Sequence, residues 1–370
     1  MYRIQGVIVA GLLLAVAPVN AQDNQAAIYQ SGDNHNGAIT QSGSDNTAQL
    51  LQGGMGFNTI ATISQTGSQN LAVADTYSDS IVEMTQDGSG NEVLINHQGD
   101  LYDTAVSQVG NLNTAHVNQF YRASTAEVAQ TGDGHSADIY QEGRGHYASA
   151  RQDGMNNSVT IDQGNYYSGK WASVDQSGND HVAAVHQEDG GYNSTTIMQV
   201  GSAHIAEVTQ AIDGPLYGNN VVLVSQEGVD HTAWVSQTHG DNTVEIDQLA
   251  GEGNNVSATQ LGDFNTLEMT QQGSFNTAPS SQSGNNNTVV LGQSGEQNLV
   301  EVTQQGSFLE ANITQAGSDN RAGVTQQGSL LEANIAQAGS DNQAFITQGA
   351  YFDQATITQS GMANLASITQ

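Results

Sequence analysis

The chain has 370 residues, of which 37% are hydrophobic, 42 are Gly, 3 are Pro and none is Cys. Six Lys and Arg stand against 37 Asp and Glu, a formal charge of -31 at pH 7. That balance excludes nucleic-acid binding through a basic surface, and the absence of Cys excludes disulfide scaffolds, thiol catalysis and Cys-ligated zinc.

The first element is a secretory signal over residues 1–21: Arg3 supplies the positive start, residues 6–19 the apolar stretch and Val19-Asn20-Ala21 a small-residue cleavage site. The apolar run is short for a membrane span, with a signal anchor as the alternative reading, and no second apolar segment follows it. Residues 22–370 are therefore expected to form an exported, strongly anionic chain with no membrane span. Low hydrophobicity with high charge often marks disorder. Scarce Pro and an ordered repeat argue against that here.

Gln recurs every eleven residues from Gln370 back through Gln359, Gln348, Gln337, Gln326, Gln315, Gln304, Gln293, Gln282 and Gln271 to Gln260. With slightly uneven steps the series continues to Gln30, taking in Gln210, Gln98 and Gln86, with Thr76 in the slot that lacks Gln. The unit is Q-x-G-x-x-N-x-A-x-I/V-x-Q, as in Gln315, Gly317, Asn320, Ala322 and Gln326. From Asn to the next Gln every second residue belongs to the motif: Asn265, Leu267, Met269 and Gln271 alternate with Thr266, Glu268 and Thr270. Such alternation predicts a half-buried β-strand. The Gln-x-Gly-x-x-Asn stretch predicts a turn, Gly permitting positive φ and Asn tolerating the left-handed region.

One strand with a single apolar stripe cannot fold alone, so the units must stack and pair their backbones with neighbours. The expected fold is all-β: a two-sided, cross-β solenoid of strand-turn-strand rungs, about 22 residues each. Counting Asn24 to Gln30 as the first strand gives 31 strands, or about fifteen and a half rungs. Identical inward amides at the ~4.8 Å strand spacing would hydrogen-bond along two ladders, one per side. The residues expected to carry ladder and core are Gln271, Gly273, Asn276, Gln282, Gly284, Asn287, Gln293, Gly295, Asn298, Gln315, Gly317, Asn320, Ala322, Gln326, Gln337, Gly339, Asn342, Ala344, Gln348, Gln359, Gly361, Asn364, Ala366 and Gln370.

The repeat begins with Asn24, Ala26, Ile28 and Gln30 and finishes with Asn364, Ala366, Ile368 and Gln370. With no cap expected at either side, these two sets are expected to act as polymerisation ends, the half rung leaving a step for the next subunit. Acidic residues such as Asp45, Glu207, Glu268, Glu301, Asp319 and Asp341 are expected in turns and on outer faces. There they solvate the surface and limit premature aggregation. His35, His135, His146, His181, His204 and His231 occupy the Asn slot. The last three fall in successive rungs and are expected to stack ~5 Å apart, where they either replace Asn as turn hydrogen-bonders or bind Zn or Cu.

Thr precedes the anchor Gln at 209, 270, 303, 314, 325, 347, 358 and 369. Outer Thr reads as β-propensity or, alternatively, as an ice-binding row. Residues 53–58, 77–80, 166–170 and 213–218 read as looser turns, and Pro279 removes one ladder donor. No catalytic constellation stands out, so an enzyme is not expected, nor any cofactor.

At these residues the sequence resembles the curlin repeats of bacterial curli amyloid, with their Gln-x-Gly-x-x-Asn-x-Ala-x-x-x-Gln core. The segment from Ala311 to Ala322, Gln293-Ser-Gly-Glu-Gln-Asn298 and Gln359-Ser-Gly-Met-Ala-Asn364 carry the likeness, which runs from about Asn24 to Gln370. The resemblance implies a secreted subunit, of major or nucleator type, forming an extracellular homopolymeric fibre at the bacterial cell surface for biofilm matrix, adhesion and surface colonisation. A curli nucleator, an outer-membrane secretion pore and matrix or host surfaces are the implied partners. The alternative is a soluble ice-binding or adhesive β-solenoid that does not polymerise.

Overall fold

A computed structural model describes residues 23–53, 58–77, 79–164, 169–188, 191–211 and 218–370. The expected signal, and parts of the four looser turns, lie outside the described residues. The described residues hold 31 strands and no helix. The fold is a two-sided β-solenoid of about 15 turns with about 22 residues per turn.

The chain divides into two compact units, residues 1–169 and 170–370. In the first, strands alternate between two parallel sheets. One runs from Gln25–Gln30 through Thr47–Gln52 to Ser158–Gln163, and the other from Asn36–Ser44 to Tyr147–Met155. The second unit repeats the plan, with Trp171–Asn179 to Gln354–Met362 in one sheet and Val182–Gln187 to Leu365–Thr369 in the other.

Alternation decides which side chains meet. In the strand Thr266–Ser274, Leu267, Met269 and Gln271 point inward and are buried, while Thr266 and Glu268 are exposed. Its register with Thr288–Glu296 places Met269 on Leu291, Gln271 on Gln293 and Gly273 on Gly295. Like therefore stacks on like. In the next rungs Ala322 lies between Val300 and Ala344, and Val324 between Val302 and Ile346. Two apolar positions per strand make a thin core, each buried Val or Ile contributing about 1.5–3 kcal/mol.

Three details differ from the sequence-based expectation. Strands continue past Gln through Gly, as in Glu310–Ser318, so Gly belongs to the ladder rather than to the turn. The left-handed residue is the one before Asn: Asp319 has φ 55° and Asp341 φ 56°. Asn itself cannot be spared for that role, because its side chain points inward. Third, His97 replaces Gln98 as the inward residue: His97 pairs with Gln119 and is fully buried, while Gln98 is exposed. Pro279 does interrupt its ladder, since the pairing of its strand with Leu299–Ser307 skips Ala278 and Pro279.

Candidate functional site

The repeated inward amides are the chemically distinctive feature of both units. In the second unit Gln304 Nε2 donates to Gln326 Oε1 at 2.9 Å, and Gln326 Nε2 donates to Gln348 Oε1 at 3.0 Å. The facing sheet runs a matching ladder from Gln293 to Gln315, Gln337 and Gln359, with distances of 3.0, 2.8 and 2.8 Å. The first unit carries the same device from Gln41 through Gln65, Gln86, Gln108 and Gln130 to Gln152.

Each Nε2 makes a second bond to a backbone carbonyl on the facing sheet. Gln315 reaches Leu299 O at 3.1 Å and Gln326 reaches Glu310 O at 2.9 Å. A carbonyl only accepts, so this bond fixes which end of the amide is nitrogen. The ladder therefore has one direction, every donor pointing to the C-terminal rung, and it also ties the two sheets together.

Asn ladders close the corners with the opposite sense. The backbone N–H of Asn342 donates to Asn320 Oδ1 at 3.1 Å, as does that of Asn320 to Asn298 Oδ1 at 3.2 Å. Asn320 Nδ2 caps the carbonyl of Gly339 at 2.9 Å. Gln271, Asn276, Gln282, Asn287, Gln293, Asn298, Gln315, Asn320, Ala322, Gln326, Gln337, Asn342, Ala344, Gln348 and Gln359 are all buried in these columns. Gly273, Gly284, Gly295, Gly317, Gly339 and Gly361 all have positive φ. Asn24, Ala26, Ile28 and Gln30, and at the other side Asn364, Ala366, Ile368 and Gln370, continue the columns but are less buried than their counterparts.

Truncating Asn320 to Ala strands the amide of Asn342 and the carbonyl of Gly339, and is expected to cost about 2–3 kcal/mol. Asn320→Leu is expected to cost less, because Leu309 and Leu331 fill the equivalent slot at the other corner, each 1% exposed. Urea unfolding of the two variants checks that order.

One rung of the first unit departs from the pattern. His97 Nε2 lies 3.0 Å from Thr104 Oγ1, which in turn donates to Gln119 Oε1 at 2.8 Å, so a His–Thr relay spans the place of one Gln. Burial pushes His97 down to about 3. Tyr102 packs on it at 4.9 Å between rings, and burial, then the Asp100 charge, raises the phenol. Tyr102 and the buried Lys170, whose Nζ donates to Gln187 O at 2.7 Å, stand in the Asn slot. Neither carries the motif's residue type, so periodicity alone did not reveal them.

His181, His204 and His231 form the expected stack, with 5.0 Å between successive ring centroids. Both nitrogens of each ring are taken up by backbone groups, as Asn would use its amide. That leaves no lone pair for Zn or Cu.

Outside, the two sheets of the second unit differ. Glu245 pairs with Glu268, and Glu310 with Glu332, on one face. The other shows a column of hydroxyls from Thr209 through Ser236, Thr259, Ser281, Thr303, Thr325 and Thr347 to Thr369. Thr270, Thr314 and Thr358 lie on the acidic face.

No curated protein was found to match the chain. The family model described as the curlin associated repeat matches residues 21–54, 122–153, 136–164, 262–295, 295–328 and 318–349. These stretches hold the same Gln, Gly and Asn that build the ladders, so recognition of the repeat and the geometry of the rung rest on the same atoms. The chain is a curlin-repeat protein.

Proposed function

We propose that the chain is a secreted structural subunit that polymerises head to tail into extracellular, curli-like amyloid fibres serving biofilm matrix, adhesion and surface colonisation. The observation that carries this is the translational identity of the rungs. In most rungs Gln, Asn, Gly and the two apolar positions stack on their own kind, and the amide ladders have a fixed direction. A rung of a second copy meets the same donors and acceptors as an internal rung, so templated strand addition needs no new interface. A curli nucleator and an outer-membrane secretion pore are the partners this role requires. Export rests on the expected signal at residues 1–21. Among the described residues no helix is long and apolar enough to cross a membrane. The repeat fold and family are structural, and no catalytic role is proposed.

Incubating the purified chain at micromolar concentration is expected to give Congo red-binding fibres with a meridional reflection near ~4.8 Å. Growth is expected to accelerate with added salt, because the in-register pairs Glu245–Glu268 and Glu310–Glu332 put like charges one strand spacing apart. A chain that stays monomeric under all conditions overturns the polymer reading. The hydroxyl column then favours the soluble ice-binding or adhesive solenoid, which an ice-recrystallisation assay checks.

A further inference from the structure

Three imidazoles in the second unit are built into the joints between rungs. His181 and His204 stack at 5.0 Å with planes 11° apart, and His204 and His231 at 5.0 Å and 10°. All three side chains are buried. Their Nε2 atoms sit 3.2, 3.0 and 3.0 Å from the carbonyl oxygens of Ser177, Val200 and Glu227. A carbonyl cannot donate, so each Nε2 carries the proton. Each Nδ1 accepts the backbone N–H of the following rung: His204 N at 3.3 Å, His231 N at 3.1 Å and Asn254 N at 3.1 Å. Contacts on both sides therefore hold the ring as the neutral Nε2–H tautomer.

The same column continues with Asn. The amide of Asn276 donates to Asn254 Oδ1, that of Asn298 to Asn276 Oδ1, and those of Asn320 and Asn342 follow in turn. His and Asn thus do one job with different chemistry, and only His can titrate near neutral pH.

We infer that the His181–His204–His231 column is an acid-sensitive clasp that opens the joints between rungs from His181 to Asn254 while the Asn-closed joints beyond stay shut. A proton added at Nδ1 turns the acceptor of an inter-rung bond into a donor aimed at another N–H. Three such cations would also lie one strand spacing apart in a buried stack. The clasp is a property of the rungs and does not depend on polymerisation.

Asp180 and Asp230 precede His181 and His231 in the turns at this corner and act on them, and Glu227 and Glu252 lie near the ends of the strands Val221–Val229 and Thr243–Glu252 that lead into it. Asp180 raises His181 and Asp230 raises His231, but burial outweighs both and holds those imidazoles below their ordinary value. Among the described residues no carboxylate acts on His204. Burial first, then its two imidazole neighbours, push it down to about 4. A folded imidazole that binds protons less readily than an unfolded one makes stability rise with pH. The clasp is whole above the unfolded value of about 6.5 and weakens as pH falls toward about 4.

Hydrogen exchange of the full chain between pH 7 and 4, referred to the intrinsic rate at each pH, tests this. The amides of His204, His231 and Asn254 are expected to lose protection by about tenfold or more on acidification. The amides of Asn298, Asn320 and Asn342 in the same column serve as internal controls and are expected to hold theirs. The triple variant His181→Asn, His204→Asn, His231→Asn is expected to abolish the acid window. Equal pH dependence along the whole column, or a window that persists in the folded variant, overturns the clasp. Should the variant not fold, the comparison of His and Asn joints within the native chain still decides.

Discussion

Replacing Gly317 by Ala is expected to part the solenoid locally, lowering the unfolding free energy of the second unit by more than about 3 kcal/mol. Two costs add. Gly317 has φ 116°, which an L side chain adopts only with strain of about 1–3 kcal/mol. A Cβ built there would also collide with the carbonyl oxygen of Gly339 in the next rung. That obstacle is backbone, which cannot swing aside without breaking the pairing of Gly317 with Gly339. Gly292 supplies the control: it sits in a strand, pairs with Thr270 and Thr314, and has nothing within 4 Å of a built Cβ. Gly292→Ala is expected to be neutral or to stabilise by up to about 1 kcal/mol, because Ala restricts the unfolded chain. Repeat arrays lose two-state cooperativity easily, so local hydrogen exchange around residues 306–340 is the better readout than a single midpoint. Equal effects of the two substitutions would show that the Gly column is not a steric device.

The rung architecture was legible in the sequence because one period, eleven residues, sets strand, turn and ladder together. Stacking of His181, His204 and His231 followed from counting strands. Other features were hidden for physical reasons. Periodicity says which residues share a face but not which residue of a tight turn takes positive φ; Asp319 does so because Asn320 is committed inward. Gln98 fits the Gln spacing by residue type, yet the zero-shift pairing of Glu92–Asp100 with Thr114–Arg122 puts His97 in the column. Pairing register outranks residue identity once one face is buried. The direction of the ladders, and the second bond that joins the sheets, depend on amide orientation, which no sequence displays. The outer Thr residues look like one set in the sequence. Only the assignment of alternate strands to opposite sheets separates Thr303 and Thr325 from Thr314 and Thr358.

The ladder's own chemistry is tested hardest by Gln326→Glu, nearly isosteric and placed at a fully buried rung. The new carboxylate can still accept from Gln304, but its second oxygen would face Gln348 Oε1 and Glu310 O, both acceptors that Gln326 Nε2 now satisfies. Gln348 cannot relieve the clash by turning its amide over, since its Nε2 is already committed to Glu332 O and Gln370 Oε1. An unpaired buried charge of this kind is expected to cost about 3–5 kcal/mol at pH 7, whereas Gln326→Leu, which leaves Gln348 Oε1, Glu310 O and Gln304 Nε2 each short of one partner without adding charge, is expected to cost about 1–3 kcal/mol. Burial and the facing oxygens favour the neutral acid, so the folded carboxyl would titrate above its unfolded value of about 4.3. The sign is then fixed: the penalty is present at neutral pH and shrinks as pH falls through the raised value, where the acid's O–H replaces the lost donor. This slope is opposite to that of the His column. Hydrogen exchange of the variant on acidification is expected to show residues 304–348 gaining protection while the joints from His181 to Asn254 lose it. Protection at the substituted rung that ignores pH would mean the ladder amides are not held in the directions their contacts define.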